Sequence, residues 1–239
     1  MKAQQPSWHN VAPPTGINAQ QNLDALGSPA VGGSNVVIAF DTRYRGFLNS
    51  PYLLESWSKG ELIFRNGAKY VPVELKFNTY SQDVLVRKSD TGDSVVLDKT
   101  IIQQFTLVNE QGQSMLFRRF THPETKQTGF FHVLFEGNYY LLLAHYRKTL
   151  LKADYKGAYS AERYYDEFVP ETTYFLVTNS GATWQKLKTN EKSLLKALND
   201  IDGKLKEWIK SQGLHPSKNQ SDLVQVIQRA EEWKKQTGQ

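Results

Sequence analysis

His132 and His145 flank a hairpin signal at Gly137-Asn138. If those two residues form the turn, His132 opposes Leu143 and His145 follows two positions on, on the same face of the sheet. Two imidazoles at that diagonal could share a metal ion if a carboxylate joined them. Glu136 is on that face but far along the strand, and zinc ordinarily takes a third protein ligand. The pair is a candidate metal site, set beside the plainer reading of two hydrogen-bonded sheet histidines.

Tyr155, Tyr159, Tyr164, Tyr165 and Tyr174 gather in sequence around Glu162, Arg163, Asp166 and Glu167. Aromatic rings among carboxylates can line a cleft for a glycan or another small ligand. Two of the carboxylates could serve a hydrolase if they flanked a scissile bond. The competing reading is an irregular connector whose rings cover the sheet. Trp57, with Tyr52 beside it, is the other aromatic candidate, either for the ligand or as an anchor of its loop.

Three further patterns spell catalytic motifs. Asp90-Thr91-Gly92 is the aspartic-protease triplet, whose chemistry needs two carboxylates sharing a proton. Here it sits between Lys88-Ser89 and Asp93-Ser94, a polar hairpin tip rather than an apolar strand. Ser56 to Lys59 and Ser193 to Lys196 match S-x-x-K without the partner motifs that complete such a site. No phosphate-binding glycine loop, dinucleotide fingerprint or nucleophile elbow appears. The reading leans away from an enzyme, with no catalytic residue and no cofactor assigned.

Composition narrows the classes. The chain has 239 residues, a length for one large domain or two small ones. Aromatic residues make up 12%, enough to build a core around large rings. The net charge is +5, but Lys and Arg are spread and often adjoin acids, as in Glu191-Lys192 and Lys206-Glu207. No basic stripe marks a nucleic-acid partner. There are no cysteines, so disulfides, thiolate metal sites and cysteine nucleophiles are excluded. The longest apolar runs, Val36 to Phe40 and Tyr139 to Ala144, are strand-sized, so no transmembrane segment is expected. The start MKAQQPSW carries no apolar signal region and suits a mature exported protein whose signal peptide has been removed.

The elements that must position these residues follow from turn chemistry. Residues 1–35 are rich in Gln, Asn, Gly and Pro and read as a flexible or strap-like segment. Residues 36–188 carry short apolar strands at close spacing, separated by Gly-containing turns. That pattern predicts an antiparallel meander closing as a sandwich, an open barrel or a strongly bent sheet. Asn66-Gly67 is the strongest hairpin signal, and a two-residue turn there sets Ile63 against Tyr70 and Leu62 against Val71. Between Arg45 and Gly60 the chain reads as a loop feeding that hairpin. In residues 189–239 the period changes: Leu194, Leu198, Ile201, Leu205 and Trp208 form a helical stripe. Asn199, Asp200 and Gly203 divide it into two helices, Gly213 ends the second, and Ser221 is placed to cap a third. This C-terminal helical unit packs on itself or on the sheet.

The segment from Asn35 to Gly46 (NVVIAFDTRYRG), with Ser50, Pro51, Tyr52, Leu53, Trp57 and Gly60 after it, resembles an uncharacterised family of exported β-rich proteins of Bacteroidetes-type bacteria. The resemblance covers roughly Asn35 to the end of the chain. Its motifs are structural and carry no assigned activity. It implies a periplasmic or outer-membrane-associated place in the cell envelope. Together with the absence of a converging catalytic set, it leads to the expectation of a non-catalytic protein-binding or assembly component, with another envelope protein as partner. The alternatives are a glycan or small-ligand binder with a Tyr-lined cleft and, behind it, a hydrolase with dispersed carboxylates.

Overall fold

The computed structural model describes residues 36–38, 47–88, 92–122, 125–153, 165–178, 183–200 and 202–237. Among these residues eleven strands build one sheet: β1 (Val36–Ile38), β2 (Ser58–Phe64), β3 (Lys69–Asn78), β4 (Asp83–Arg87), β5 (Ser94–Leu97), β6 (Ile102–Val108), β7 (Ser114–Thr121), β8 (Thr128–Glu136), β9 (Leu141–Leu151), β10 (Glu167–Thr178) and β11 (Thr183–Leu187). Among the described residues three helices follow, α1 (Glu191–Ala197), α2 (Lys204–Ser211) and α3 (Gln220–Thr237). The mainly β expectation with a C-terminal helical unit is borne out. The expected strap at 1–35 lies outside the described residues.

The strand order is β1-β5-β4-β3-β2-β6-β7-β8-β9-β10-β11, antiparallel at every ladder. Two runs of hairpins therefore meet at β2 and β6, because β6 pairs with β2 and not with β5. From Leu97 to Ile102 the backbone can reach about 17 Å. A flat sheet would set β5 and β6 about 19 Å apart, four strand spacings. The sheet must curl, and its curled face encloses the main core. There Phe77, Phe105, Phe117 and Phe130 meet with ring centroids 5.0 to 6.1 Å apart. All four are at most 2% exposed. Rings of this size in close-packed contact supply much of the burial free energy.

Two turns differ from their expected length, and each difference moves side chains between faces. At Asn66-Gly67 the hairpin loop has three residues: the Gly67 N–H donates to the Phe64 carbonyl at 2.9 Å, and Gly67 sits at φ +85°. A type I turn followed by a left-handed glycine is the usual three-residue solution. The register becomes Leu62 opposite Tyr70 and Ile63 opposite Lys69. At Gly137 the loop runs to Tyr140, four residues, closed by the Gly137 N–H on the Tyr140 carbonyl. A bulge between Val133 and Phe135 shifts the ladder again, so His132 pairs with Ala144.

The opposite half of the sheet carries the helices. Tyr140, Leu142, Leu176 and Leu187 from the strands share one apolar cluster with Leu194, Leu198, Leu205, Ile209, Leu223, Val226 and Ile227. Asn190 caps α1 through the Ser193 N–H, and Gly213 at φ +64° ends α2 as the pattern indicated. The third cap is Asn219, not Ser221: the Asn219 side chain accepts the Ser221 N–H at 2.9 Å, and Ser221 already lies inside α3.

Candidate functional site

The curled sheet leaves a seam where the β3–β4 turn approaches β9. The ladder does not continue across it. The Lys148 N–H reaches the Thr79 carbonyl at 3.3 Å, and the Gln82 amide donates to the Tyr146 carbonyl at 3.0 Å. The segment from Phe47 to Trp57 fills the rest. Leu48 forms a parallel bridge to Glu167, with its N–H on the Asp166 carbonyl at 2.8 Å and its carbonyl accepting the Phe168 N–H at 3.1 Å. Tyr52 bridges Asn78, and the Pro51 carbonyl accepts both the N–H and the hydroxyl of Thr79, at 2.9 and 3.1 Å. The Lys148 ammonium donates to the carbonyls of Ser50 and Tyr52, each at 2.7 Å. Burial works to lower the Lys148 pKa, with Glu55 opposing it. The loop is thus stitched to β3, β9 and β10 at once. Its backbone groups, which lack a ladder, are satisfied by these partners.

Trp57 lies half-buried at the end of this loop, where Lys76 sits 5.6 Å from its ring and 4.5 Å from that of Tyr52. At the other end, around the start of β10, the surface is apolar. Phe168 is fully buried there, with the Tyr80 ring 5.2 Å and the Phe47 ring 5.6 Å from it. Among the described residues the exposed large hydrophobics are Leu48 (48%), Tyr80 (42%), Val108 (38%) and Tyr165 (57%). Three of these four belong to this one place: Leu48 bridged to β10, Tyr80 on Phe168, and Tyr165 directly before Asp166.

Of the tyrosine cluster read from the sequence, Tyr165 is at this surface, whereas Tyr155, Tyr159 and Tyr164 lie outside the described residues, as does Glu162. Tyr174 is on β10, half-buried against the helical cluster. Asp166 accepts from the Lys152 ammonium and the Ala153 N–H, both at 2.8 Å, and these bonds hold its pKa below the usual carboxylate value. Glu167 accepts from the Asn49 amide at 3.4 Å. The two carboxylates hold ordered backbone and loop groups.

The two histidines are on opposite faces of the sheet. His132 faces the curled interior, stacked on Phe117 at 5.1 Å and with its Nδ1 3.0 Å from the Tyr146 hydroxyl. His145 faces outward, stacked on Phe131 at 4.7 Å. The pairing of His132 with Ala144 sets this parity, so the shared metal site read from a two-residue turn does not form. No group of three metal-ligating side chains occurs among the described residues. Burial pushes both imidazoles down to about 4; for His145 Arg147 adds to this and Glu171 opposes it. Asp90 and Thr91 are outside the described residues, and Gly92 takes φ +71° in the β4–β5 turn. Ser56 is in the loop and Lys59 in β2, so their spacing is not helical. Ser193 and Lys196 are on α1.

Two polar constructions had no clear sequence signal. The Tyr146 hydroxyl joins His132 to the Gln220 amide, which donates to it at 3.0 Å from the first turn of α3. Burial raises the Tyr146 pKa to about 12, against the lowering effect of Gln220. Glu231, only 2% exposed, accepts three backbone N–H groups, from Asn138, Tyr139 and Tyr140, at 2.7, 3.0 and 3.1 Å. No protein-family model, curated protein or solved structure matches the chain. No helix among the described residues is long and apolar enough to cross a membrane.

Proposed function

We propose that the chain is a non-catalytic component of the cell envelope that binds another protein through the seam surface formed by Leu48, Tyr80 and Tyr165. The observation behind this reading is that, of the four exposed large hydrophobics among the described residues, Tyr80 packs on Phe168, Leu48 bridges Glu167 and Tyr165 directly precedes Asp166, all at the start of β10. An apolar surface with tyrosines at its centre and the Lys152–Asp166 pair at its edge has the composition of a protein-binding patch. Its backbone is held from three strands, so the patch is preformed and loses little entropy on docking. The envelope location rests on the resemblance carried by residues from Asn35 to Gly60.

The test is co-purification from the native source under gentle conditions, wild type against the Leu48→Asp and Tyr165→Ser pair. The reading expects a stoichiometric protein partner with the wild type and its loss with the variant, the melting temperature being unchanged. A partner retained equally by both would remove the seam from consideration.

A further inference from the structure

The β2–β3 turn places a reactive pair at the surface. The Asn66 side-chain oxygen accepts the Ala68 N–H at 3.0 Å. This is an Asx turn, in which the side chain folds along the peptide that follows it. The side-chain carbonyl carbon is thereby carried towards the Gly67 nitrogen. The Ala68 donor stands on the oxygen where negative charge would develop if that nitrogen attacked. Asn66 and Gly67 are both exposed, and a Cβ built on Gly67 would meet nothing within 4 Å.

The same arrangement recurs in this fold without the glycine. Asn78, Asn109 and Asn219 accept the N–H two residues on, from Tyr80, Gln111 and Ser221, at 3.0, 3.1 and 2.9 Å. They are followed by Thr79, Glu110 and Gln220, whose side chains crowd the nitrogen that would attack. Asn78 is also fully buried. Among these four, Asn66 combines the folded-back carbonyl with an unhindered nitrogen. One contact opposes reaction there: the Gly67 N–H donates to the Phe64 carbonyl at 2.9 Å. An exposed turn opens locally at far less cost than the sheet unfolds, and opening frees that nitrogen.

We propose that Asn66 is a site of spontaneous modification, deamidating in the folded protein to aspartate and isoaspartate. The Gly67 nitrogen bonds to Asn66 Cγ, the Cγ–Nδ2 bond breaks, and the Gly67 amide proton leaves with Nδ2 as ammonia. Water then opens the succinimide at either carbonyl. The sum is asparagine plus water to acid plus ammonia, and nothing is oxidised or reduced. Isoaspartate runs the main chain through Cβ and so lengthens the loop. That loop is closed by the Phe64 N–H on the Ala68 carbonyl and the Gly67 N–H on the Phe64 carbonyl, and it sets Leu62 against Tyr70. The modified turn therefore holds the β2–β3 register less firmly.

Peptide mapping by mass spectrometry of the full chain, aged folded in mildly alkaline buffer, tests this. Electron-transfer fragmentation separates aspartate from isoaspartate. Conversion is expected at Asn66, with isoaspartate present, while Asn78, Asn109 and Asn219 stay intact in the same sample. Gly67→Asp, a residue type that tolerates the left-handed backbone, should slow conversion at Asn66 about tenfold by crowding the nitrogen. Asn66→Ser keeps a turn-forming side chain and should leave a sample that does not age at this position. No conversion at Asn66 in the folded chain would mean that the Gly67–Phe64 bond protects it, and would overturn the proposal. So would conversion of Asn109 or Asn219 at the same rate, or a rate at Asn66 unchanged in Gly67→Asp.

Discussion

The Glu231 carboxylate occupies the space beside Gly137 that a side chain would need: a Cβ built on Gly137 would lie 2.5 Å from the Glu231 carboxyl carbon. The bare glycine lets the carboxylate reach three consecutive N–H groups of the β8–β9 turn, and Lys235 adds an ion pair at 3.4 Å. This is how α3 is fastened to the sheet. Gly137→Ala and Glu231→Gln should each destabilise the protein by about 3 kcal/mol, the first by collision and the second by replacing a charge-assisted acceptor. Chemical denaturation of the two variants measures it. A loss below about 1 kcal/mol for both would mean that the helix is held by apolar packing alone.

Acid should act on the same contact. Burial works to raise the Glu231 pKa, but the three backbone donors and Lys235 outweigh it, so the folded value is below the ordinary one. The stability this contributes is present above the ordinary carboxylate range and is lost as pH falls through the folded value. As pH falls through that lowered folded value the melting temperature of Glu231→Gln should converge on that of the wild type. Parallel curves would assign the acid sensitivity to other groups.

A separate window belongs to the histidines. His132 and His145 are held near 4 against 6.5 for an ordinary imidazole. The unfolded chain therefore takes up protons that the folded one refuses. Stability from these groups is fully present above pH 6.5 and is lost as pH falls towards 4, by about 2 kcal/mol each once partial exposure is allowed for. His132→Leu and His145→Leu should each flatten the dependence of the melting temperature on pH across that interval. An unchanged slope in both would contradict the burial argument.

Gly60 should tolerate no side chain. A Cβ there would fall on the Thr106 carbonyl oxygen, a backbone atom of β6. Glu61 donates its N–H to the Thr106 hydroxyl at the same point, at 2.9 Å. Gly60→Ala should cost about 3 kcal/mol or more, read from the shift of a urea midpoint.

Hairpin chemistry and hydrophobic period made the strands and helices legible, because both are local. Tyr70 to Phe77, Val84 to Val86 and Val95 to Leu97 fall inside observed strands. Loop length was less legible: Asn66-Gly67 and Gly137-Asn138 are good two-residue turns in isolation, but the chain uses three and four residues. One residue of slip inverts every face, which is why His132 and His145 parted. The seam could not be read at all. Leu48 meets Glu167, and Lys148 meets Ser50, only because a curled sheet brings distant segments together. Tyr165 was found as an aromatic among carboxylates, and Trp57 as a loop anchor. Glu231 looked like any acid on an amphipathic helix.

The loop is the part of the seam most open to direct perturbation. Lys148→Met would leave the Ser50 and Tyr52 carbonyls without their shared donor, a loss of about 2 kcal/mol. Hydrogen exchange should rise at Leu48 and Leu53, whose N–H groups bond to the carbonyls of Asp166 and Phe77. No change at those two amides would show that Lys148 is not what holds the loop.

On the proposed function the seam docks a protein. A photoreactive benzoylphenylalanine at Tyr165, compared with one at Val108, the exposed hydrophobic outside the seam, tests it most directly in cells of the native source. One discrete protein adduct is expected from position 165, absent from position 108 and abolished by Leu48→Asp. Equal labelling at both positions, or no adduct from position 165, would contradict it.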